Sequence, residues 1–257
     1  MIICIAAIGS EDGKEYVVFA TDHMITTGTG QFEHSIAKYK KLTSKTYGML
    51  AGQALIFEDL IKVENPDALT YTQIKEKIFD NFKSKKKEII KNEIFSIYGI
   101  NEEFFIEALQ KQIPNPYINT ILEKVSNFKL NTNILLVGFD GDSAQISEIN
   151  EAGIFDFRNI NFHTIGSGSI QASNTLLFQK HSKKDNLNRT LYNVFKAKRN
   201  AEVMQGVGKE TDVFVLSKDS GAKELSEENM KKLKEIYEEE LEFGKNHKKL
   251  KELKVVG

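Results

Sequence analysis

Cysteine is almost absent from this 257-residue chain, in which Cys4 is the single example. One cysteine excludes an intramolecular disulfide framework and a cysteine-rich zinc site, so the sequence predicts no metal and no cofactor. A surplus of positive charge is also missing, because 35 basic residues stand against 36 acidic ones. Without such a surplus to attract phosphate groups, nucleic acid is not an expected partner.

Long apolar runs are missing as well, since none approaches the roughly 18 residues of a membrane helix. The opening residues 1–5 have no basic flank and reach Glu11 and Asp12 too soon for a signal-peptide core. We therefore expect no membrane partner and a cytoplasmic location. What the chain does contain is apolar material, 40% of all residues, which is enough for one large core and predicts a single domain over residues 1–257.

Strand and helix patterns occur in blocks along the chain. Strand patterns lie at residues 1–8, 16–20, 36–42, 47–51, 133–137, 144–149, 162–165 and 212–216. Helix patterns lie at residues 53–63, 70–125 with breaks at Gly99, Pro114 and Pro116, 170–178, 191–204 and about 226–243. Blocks of this kind, in place of alternating strand and helix units, predict an α+β fold in which helices cover antiparallel sheets.

Some local features of these blocks can be predicted in more detail. Asp12 and Gly13 are typical of the turn of a β-hairpin, and residues 26–30 of a loop. Ser169 is placed to cap the helix that begins at residue 170. Two sets of apolar residues at helical spacing predict buried faces: Leu55, Ile56, Leu60 and Ile61, and Ala172, Leu176, Leu177 and Phe178.

Five short motifs follow one another from residue 20 to residue 215. They are Ala20-Thr21-Asp22 with Thr26-Thr27-Gly28, Lys38 to Leu42 with Gly48 to Gly52, Leu136 to Asp140, Gly166-Ser167-Gly168-Ser169 with Ala172, and Thr211 to Val215. This series resembles the proteasome β-subunit family of N-terminal-nucleophile hydrolases. The resemblance implies a four-layer αββα sandwich of two antiparallel sheets flanked by helices, and a homo-oligomer. Relative to the plainest members of that family, the helical segment of about residues 65–128 is enlarged.

In that family the first residue of the mature chain is a threonine, serine or cysteine, whose side chain attacks a carbonyl while its own α-amine takes the proton. By resemblance, Lys38 corresponds to the catalytic lysine, Asp22 to the acidic residue that orients it, and Ser167 to a serine near the amine. Glu202 corresponds more loosely to a second acidic position. Each has a plain structural alternative: a turn cap for Asp22, a solvated strand residue for Lys38, a loop residue for Ser167 and an exposed helical charge for Glu202.

The nucleophile of the family has no counterpart at its expected position. A hairpin turn at residues 12–13 places Asp22 opposite Ile2 or Ile3, so the nucleophile position falls on Met1 or Ile2. Neither side chain can attack a carbonyl, and the bulky Ile2 disfavours removal of Met1. The leading hypothesis is a proteasome-like protein with little or no peptidase activity, acting as a self-associating scaffold or binding subunit.

Two alternatives keep an activity. Self-cleavage before Cys4 would expose a terminal thiol and give an active peptidase or amidase, although a small residue in an apolar strand pattern is also typical of the core. The same fold could instead carry a small-molecule amidohydrolase or a ligase-like transferase, because fold does not fix chemistry. A peptide or a small amide is the ligand class that fits all of these hypotheses.

Overall fold

The structure, a computed structural model, describes residues 3–27, 30–34, 37–111 and 115–245. Its strands form antiparallel sheets of five, five and two strands. The first sheet has the order β10 (Phe162–Gly166), β1 (Ile3–Glu11), β2 (Lys14–Asp22), β11 (Thr211–Ser217) and β12 (Gly221–Glu224). The second has the order β5 (Tyr39–Thr43), β6 (Thr46–Ala51), β7 (Asn133–Asp140), β8 (Ser143–Asn150) and β9 (Gly153–Asp156). A hairpin of β3 (Met24–Thr27) and β4 (Gly30–Glu33) forms the third.

The helices follow the blocks that the sequence predicts. They are α1 (Phe57–Ile61), α2 (Tyr71–Ile90), α3 (Glu102–Gln110), α4 (Pro116–Asn127), α5 (Ser169–Phe178), α6 (Leu187–Ala201) and α7 (Glu227–Lys245). Short 3-10 turns cover Ala54–Ile56, Pro66–Ala68 and Ser96–Tyr98, and a π-helical turn covers Lys91–Phe95. The fold is α+β with antiparallel sheets, so that part of the prediction is confirmed.

Three apolar clusters follow from the alternation of side chains along the strands. The first lies between the two large sheets and includes Cys4, Ala6, Phe19, Met49 and Leu135. The second joins the opposite face of the first sheet to α5 and α6 and includes Ile3, Ile5, Ala172 and Val194. The third joins the outer face of the second sheet to α1 and α2 and includes Leu60, Ile74, Ile78 and Ile134. This succession of clusters is compatible with the predicted αββα sandwich.

The opening hairpin positions the candidate site and agrees with its prediction. Asp12 and Gly13 make the turn with positive φ angles of 51° and 76°, and β1 pairs with β2 from Cys4 opposite Thr21 onward. Residues 26–30 were predicted as a loop, which is wrong for Thr26 and Thr27, because both lie in β3, and for Gly30, because it begins β4. Residues 28 and 29, like Met1 and Ile2, lie outside the described residues.

Several predictions about helix faces and ends are wrong. Leu55 is 97% exposed, because it lies in the 3-10 turn before α1 and not in the α-helix itself. Leu177 and Phe178 are also exposed, so Ala172 and Leu176 alone of that set face the core. Ser169 is the first residue of α5 and makes no cap, since Gly168 holds the N-cap position without a side chain.

Other element boundaries agree only in part with the patterns. The predicted interruption at Pro116 is confirmed, because α3 ends at Gln110 and Pro116 begins α4, a position that suits proline since the first helical amide needs no partner. Asn186 caps α6 by accepting from the Arg189 amide, so this helix begins at Leu187. The sequence predicted no strand at β3, β4, β9 or β12.

Candidate active site at the start of the first strand

Asp22, the last residue of β2, is the centre of a buried polar cluster. Its side chain is fully buried. One carboxylate oxygen accepts from the Lys38 ammonium at 2.8 Å and from the Ile3 amide at 3.3 Å. The other oxygen accepts from the Gly208 amide at 2.7 Å. A buried carboxylate is costly unless such donors replace water, and here a cation and two amides do so.

Lys38 directly precedes β5, an edge strand of the second sheet. Its side chain is 5% exposed, and its ammonium donates to the Met24 carbonyl as well as to Asp22. The Lys38 carbonyl accepts from the Leu50 amide of β6 at 3.0 Å, which fixes the backbone at this point. The alternatives of a solvated lysine and of a turn-capping aspartate are therefore wrong, because the two side chains form a buried ion pair.

Ile3 connects this ion pair to the other motif of the site. The β1/β2 register places Ile3 beside Asp22, and on its other edge Ile3 pairs with Gly166 of β10. The predicted nucleophile position, at Met1 or Ile2, lies outside the described residues. Asp22 and Gly166, which directly precedes the predicted site residue Ser167, thus flank Ile3 on its two sides.

Ser167 follows β10 and lines a cavity of about 520 Å³. Other residues of its wall are Ala51, Gly52, Asn133, Glu148 and Gly166. The Asp22 ion pair lies on the β2 side of β1, whereas this cavity lies on the β10 side. The structure therefore brings Asp22 and Lys38 into direct contact and places Ser167 across β1 from them.

Glu202, just after α6, is a partner of two basic side chains. Its carboxylate accepts from Lys198 at 2.7 Å and from Arg199 at 2.9 Å. Its side chain is 13% exposed, so the alternative of an exposed helical charge is wrong. Lys198 itself is fully buried and also donates to the Lys209 carbonyl at 2.7 Å. Lys198 thus links Glu202 to the segment 208–210, in which the Gly208 amide donates to Asp22.

Lys198 is a site residue that the sequence interpretation missed. Burial lowers the pKa of Lys198, while the hydrogen bond and charge of Glu202 and the charge of Asp22 oppose that shift. The signal was available in the helix pattern, because Lys198 lies on the face of α6 that carries the buried residues Val194, Ala197 and Ala201. A lysine on a buried face indicates a charged partner nearby.

The segment 208–210 was missed for a different reason. Gly208 donates to Asp22, the Lys209 carbonyl accepts from Lys198, and the Glu33 carboxylate accepts from the amides of Lys209 and Glu210. The hydrogen bonds from these two amides hold the pKa of the Glu33 carboxyl below its usual range, although partial burial acts in the opposite direction. No local pattern predicts these contacts, since they join backbone groups to residues far away in the chain.

Cys4 is fully buried and points into the cluster between the sheets. Its thiol donates to the Leu50 carbonyl at 3.2 Å. Burial raises the pKa of the Cys4 thiol, the charge of Asp22 adds to this, and the charge of Lys38 opposes it. On its two sides the residue pairs with Thr21 and Ile165 within the sheet. The arrangement is that of a protonated core thiol.

The comparisons with known proteins give no relatives: no protein-family model and no curated protein matches this chain. Within the described ranges, no three His, Cys, Asp or Glu side chains lie together in a way that could hold a metal ion. In the same part of the chain, no helix combines the length and the apolar composition needed to cross a membrane. The family resemblance therefore stays a prediction.

Proposed function

We propose that this chain is a proteasome β-subunit-like protein with the αββα N-terminal-nucleophile fold, that it has little or no peptidase activity, and that it acts as a self-associating scaffold or binding subunit. The observation that carries the proposal is the placement of Cys4. It is the one cysteine of the sequence, and its thiol is buried between the sheets.

A cysteine nucleophile must reach the carbonyl as a thiolate, and its thiol must therefore be accessible and readily ionised. Cys4 has the opposite environment, since its pKa is raised and its thiol contacts a backbone carbonyl of the core. A chain that began at Cys4 would also lose Ile3, whose amide donates to Asp22. The cleavage before Cys4 that an active Cys4 peptidase requires would therefore also remove the hydrogen bond from Ile3 to Asp22.

The ion pair of Asp22 and Lys38 fits the same proposal. The resemblance implies a lysine that tunes a neighbouring amine, and in this chain the Lys38 ammonium is held by Asp22 and the Met24 carbonyl. Such a pair holds the strand ends together whether or not a nucleophile is present. It supports retention of the family's architecture and carries no activity by itself.

Self-association is supported by apolar side chains that α5 leaves uncovered. Ile170 and Leu177 are seven residues apart, share one face of the helix and are 69% and 60% exposed. Phe178 beside them is 83% exposed. Large exposed apolar side chains in proximity are typical of surfaces that bind protein, and a second copy of this chain is the partner that the proposal implies.

The experiment combines sedimentation velocity with hydrolysis of a mixture of fluorogenic peptides. We expect the wild-type protein to sediment as an oligomer, the L177E variant to sediment as a monomer, and both to hydrolyse peptides at the background rate. Leu122, an exposed leucine of α4, provides the matched control, and L122E should leave the oligomer intact. A monomeric wild type would contradict the scaffold, and peptide hydrolysis that C4A abolishes would contradict the absence of activity.

A further inference from the structure

His181 lies where α5 ends and the connection to α6 begins. Its side chain is fully buried. Its backbone amide donates to the Leu176 carbonyl of α5 at 3.0 Å. The preceding residue, Lys180, has a positive φ angle of 52°, a conformation with which helices commonly terminate. The end of α5 therefore fixes the backbone position of His181.

The two ring nitrogens of His181 have different surroundings. Nε2 lies 3.0 Å from the Ile8 carbonyl of β1, which can only accept, so this nitrogen carries a proton. Nδ1 lies 3.3 Å from Asn193 Nδ2 of α6 and 3.3 Å from Asp185 Oδ2. The amide nitrogen of asparagine can only donate, whereas a carboxylate oxygen can only accept. Nδ1 thus has two neighbours that favour opposite protonation states of the same atom.

Asn193 is fully buried, and its side-chain amide is satisfied on one side only. The amide nitrogen donates to Asp185 at 3.3 Å as well as to the His181 ring. The amide oxygen is also buried and has no hydrogen-bond partner among the described residues. A buried oxygen of this kind is costly, and a proton on Nδ1 would offer it a donor after the amide has turned.

Asp185 is the ionisable group among the described residues whose charge acts on His181. The other elements around the ring present uncharged groups: β1 the Ile8 carbonyl, α6 the Asn193 amide, and β10 the Phe162 ring, whose centroid is 6.1 Å away. Burial lowers the pKa of His181, while the charge of Asp185 and the hydrogen bond with Ile8 oppose that shift. The ring therefore takes up its second proton below the ordinary histidine value of about 6.5.

We propose that His181, Asn193 and Asp185 form a proton switch in the connection between α5 and α6. Without a proton on Nδ1 the ring accepts from Asn193. With a proton taken from solution the ring donates to Asp185, and the Asn193 amide turns its oxygen toward the ring. Asp185 also holds the connection itself, since its carboxylate accepts from the Ser182 amide at 3.3 Å and its carbonyl from the Ser10 amide of β1 at 2.9 Å. Protonation therefore changes how this connection is held against β1.

The test is an NMR titration of the full chain, with isotope-labelled histidine and asparagine, from about pH 8 downward. H181Q identifies the His181 signals. We expect the ring to titrate below about pH 6.5 and the Asn193 side-chain amide signals to shift with the same midpoint. A His181 midpoint at or above about 6.5, unfolding before the ring titrates, or Asn193 signals that stay unchanged through the midpoint would each overturn the proposal.

Two variants should move the His181 midpoint in opposite directions. D185N removes the carboxylate that stabilises the protonated ring, so the midpoint should fall by at least about 0.5 pH units. N193A removes the donor that favours the unprotonated ring, so the midpoint should rise by a similar amount. D219N removes a carboxylate from an exposed ion pair and is the control, which should leave the midpoint unchanged.

Shifts of the same sign in D185N and N193A, or no shift in either, would also overturn the proposal. If N193A does not fold, D185N and the wild-type Asn193 signals still decide. The switch is separate from the Asp22 ion pair, and none of these results bears on oligomer formation or peptidase activity.

Discussion

Asp22 and Lys38 form a buried ion pair at 2.8 Å that joins the end of β2 in the first sheet to the start of β5 in the second. The Ile3 and Gly208 amides complete the hydrogen bonds of the carboxylate. Such a pair gains little net stability over an apolar pair of the same shape, because both charges lose water. Removing one partner is costly, since the other charge is left buried alone.

The first prediction concerns loss of this carboxylate. D22N should lower the free energy of unfolding by about 3 to 5 kcal/mol, because Lys38 would remain as an uncompensated buried charge. Urea denaturation measures the change. D219N is the control, since Asp219 pairs with Lys14 at 3.1 Å on the surface, with both side chains about 70% exposed, and its loss should have no measurable effect.

The double variant D22N/K38M separates the cost of the orphaned charge from other effects of the substitution. It should be more stable than D22N alone, because the lone buried ammonium is gone. If D22N proves as stable as D219N, or if K38M added to D22N lowers stability further, the ion pair does not have the role assigned to it.

The second prediction concerns pH and Cys4. The folded-state pKa of this thiol is raised, so the folded protein keeps a proton that the unfolded chain releases above about pH 8.5. The stability that this thiol contributes is present below that pH and is lost as the pH rises, by up to about 1.4 kcal/mol per unit. Urea denaturation of wild type and C4A across this range should show their stability difference shrinking above about pH 8.5, and a constant difference would contradict the assigned environment.

The third prediction concerns Glu202 and Lys198. E202Q should destabilise the protein at neutral pH by about 3 kcal/mol, because the buried Lys198 ammonium loses its carboxylate. A lysine whose pKa is lowered by folding becomes less unfavourable as the pH rises, so this deficit should shrink toward pH 10. E239Q, on the exposed side of α7, is the control and should leave the free energy of unfolding unchanged at every pH. A loss of stability that does not change with pH would show that the charge of Lys198 is not its cause.

The fourth prediction concerns Gly208. A Cβ atom there would lie 2.7 Å from the Glu33 carboxylate and 3.1 Å from the Met24 amide. G208A should therefore shift the segment that donates to Asp22 and cost about 1 to 3 kcal/mol. Gly244 has open space around it in α7, so G244A should leave stability unchanged or raise it slightly. Calorimetric unfolding of both variants measures this contrast, and equal melting temperatures would contradict it.

Much of the fold could be predicted, because it depends on local patterns. The turn residues Asp12 and Gly13 determine the register that brings Ile3 beside Asp22. Lys38 was assigned to the same site by the resemblance of the motif series to the family. Alternation and helical spacing do not show which apolar residues a neighbour covers, so Leu177 and Phe178 were wrongly placed in the core.

The rest of the site depends on contacts between distant residues. Gly208 is 186 positions from Asp22, and nothing in its own segment shows that its amide is needed there. The helical pattern places Lys198 on a buried face of α6. Its partners, the Glu202 carboxylate and the Lys209 carbonyl, depend on the path of the chain after α6, which the pattern does not predict. Glu148 belongs to a cavity that exists only once the two sheets are stacked.

The most direct test of the account is the intact mass of the folded protein before and after exposure to a peptide with a thiol- and hydroxyl-reactive electrophile. We expect a chain that still contains the bond between Ile3 and Cys4 and that carries no adduct. A chain that begins at Cys4 and is modified by the electrophile at that residue would contradict it.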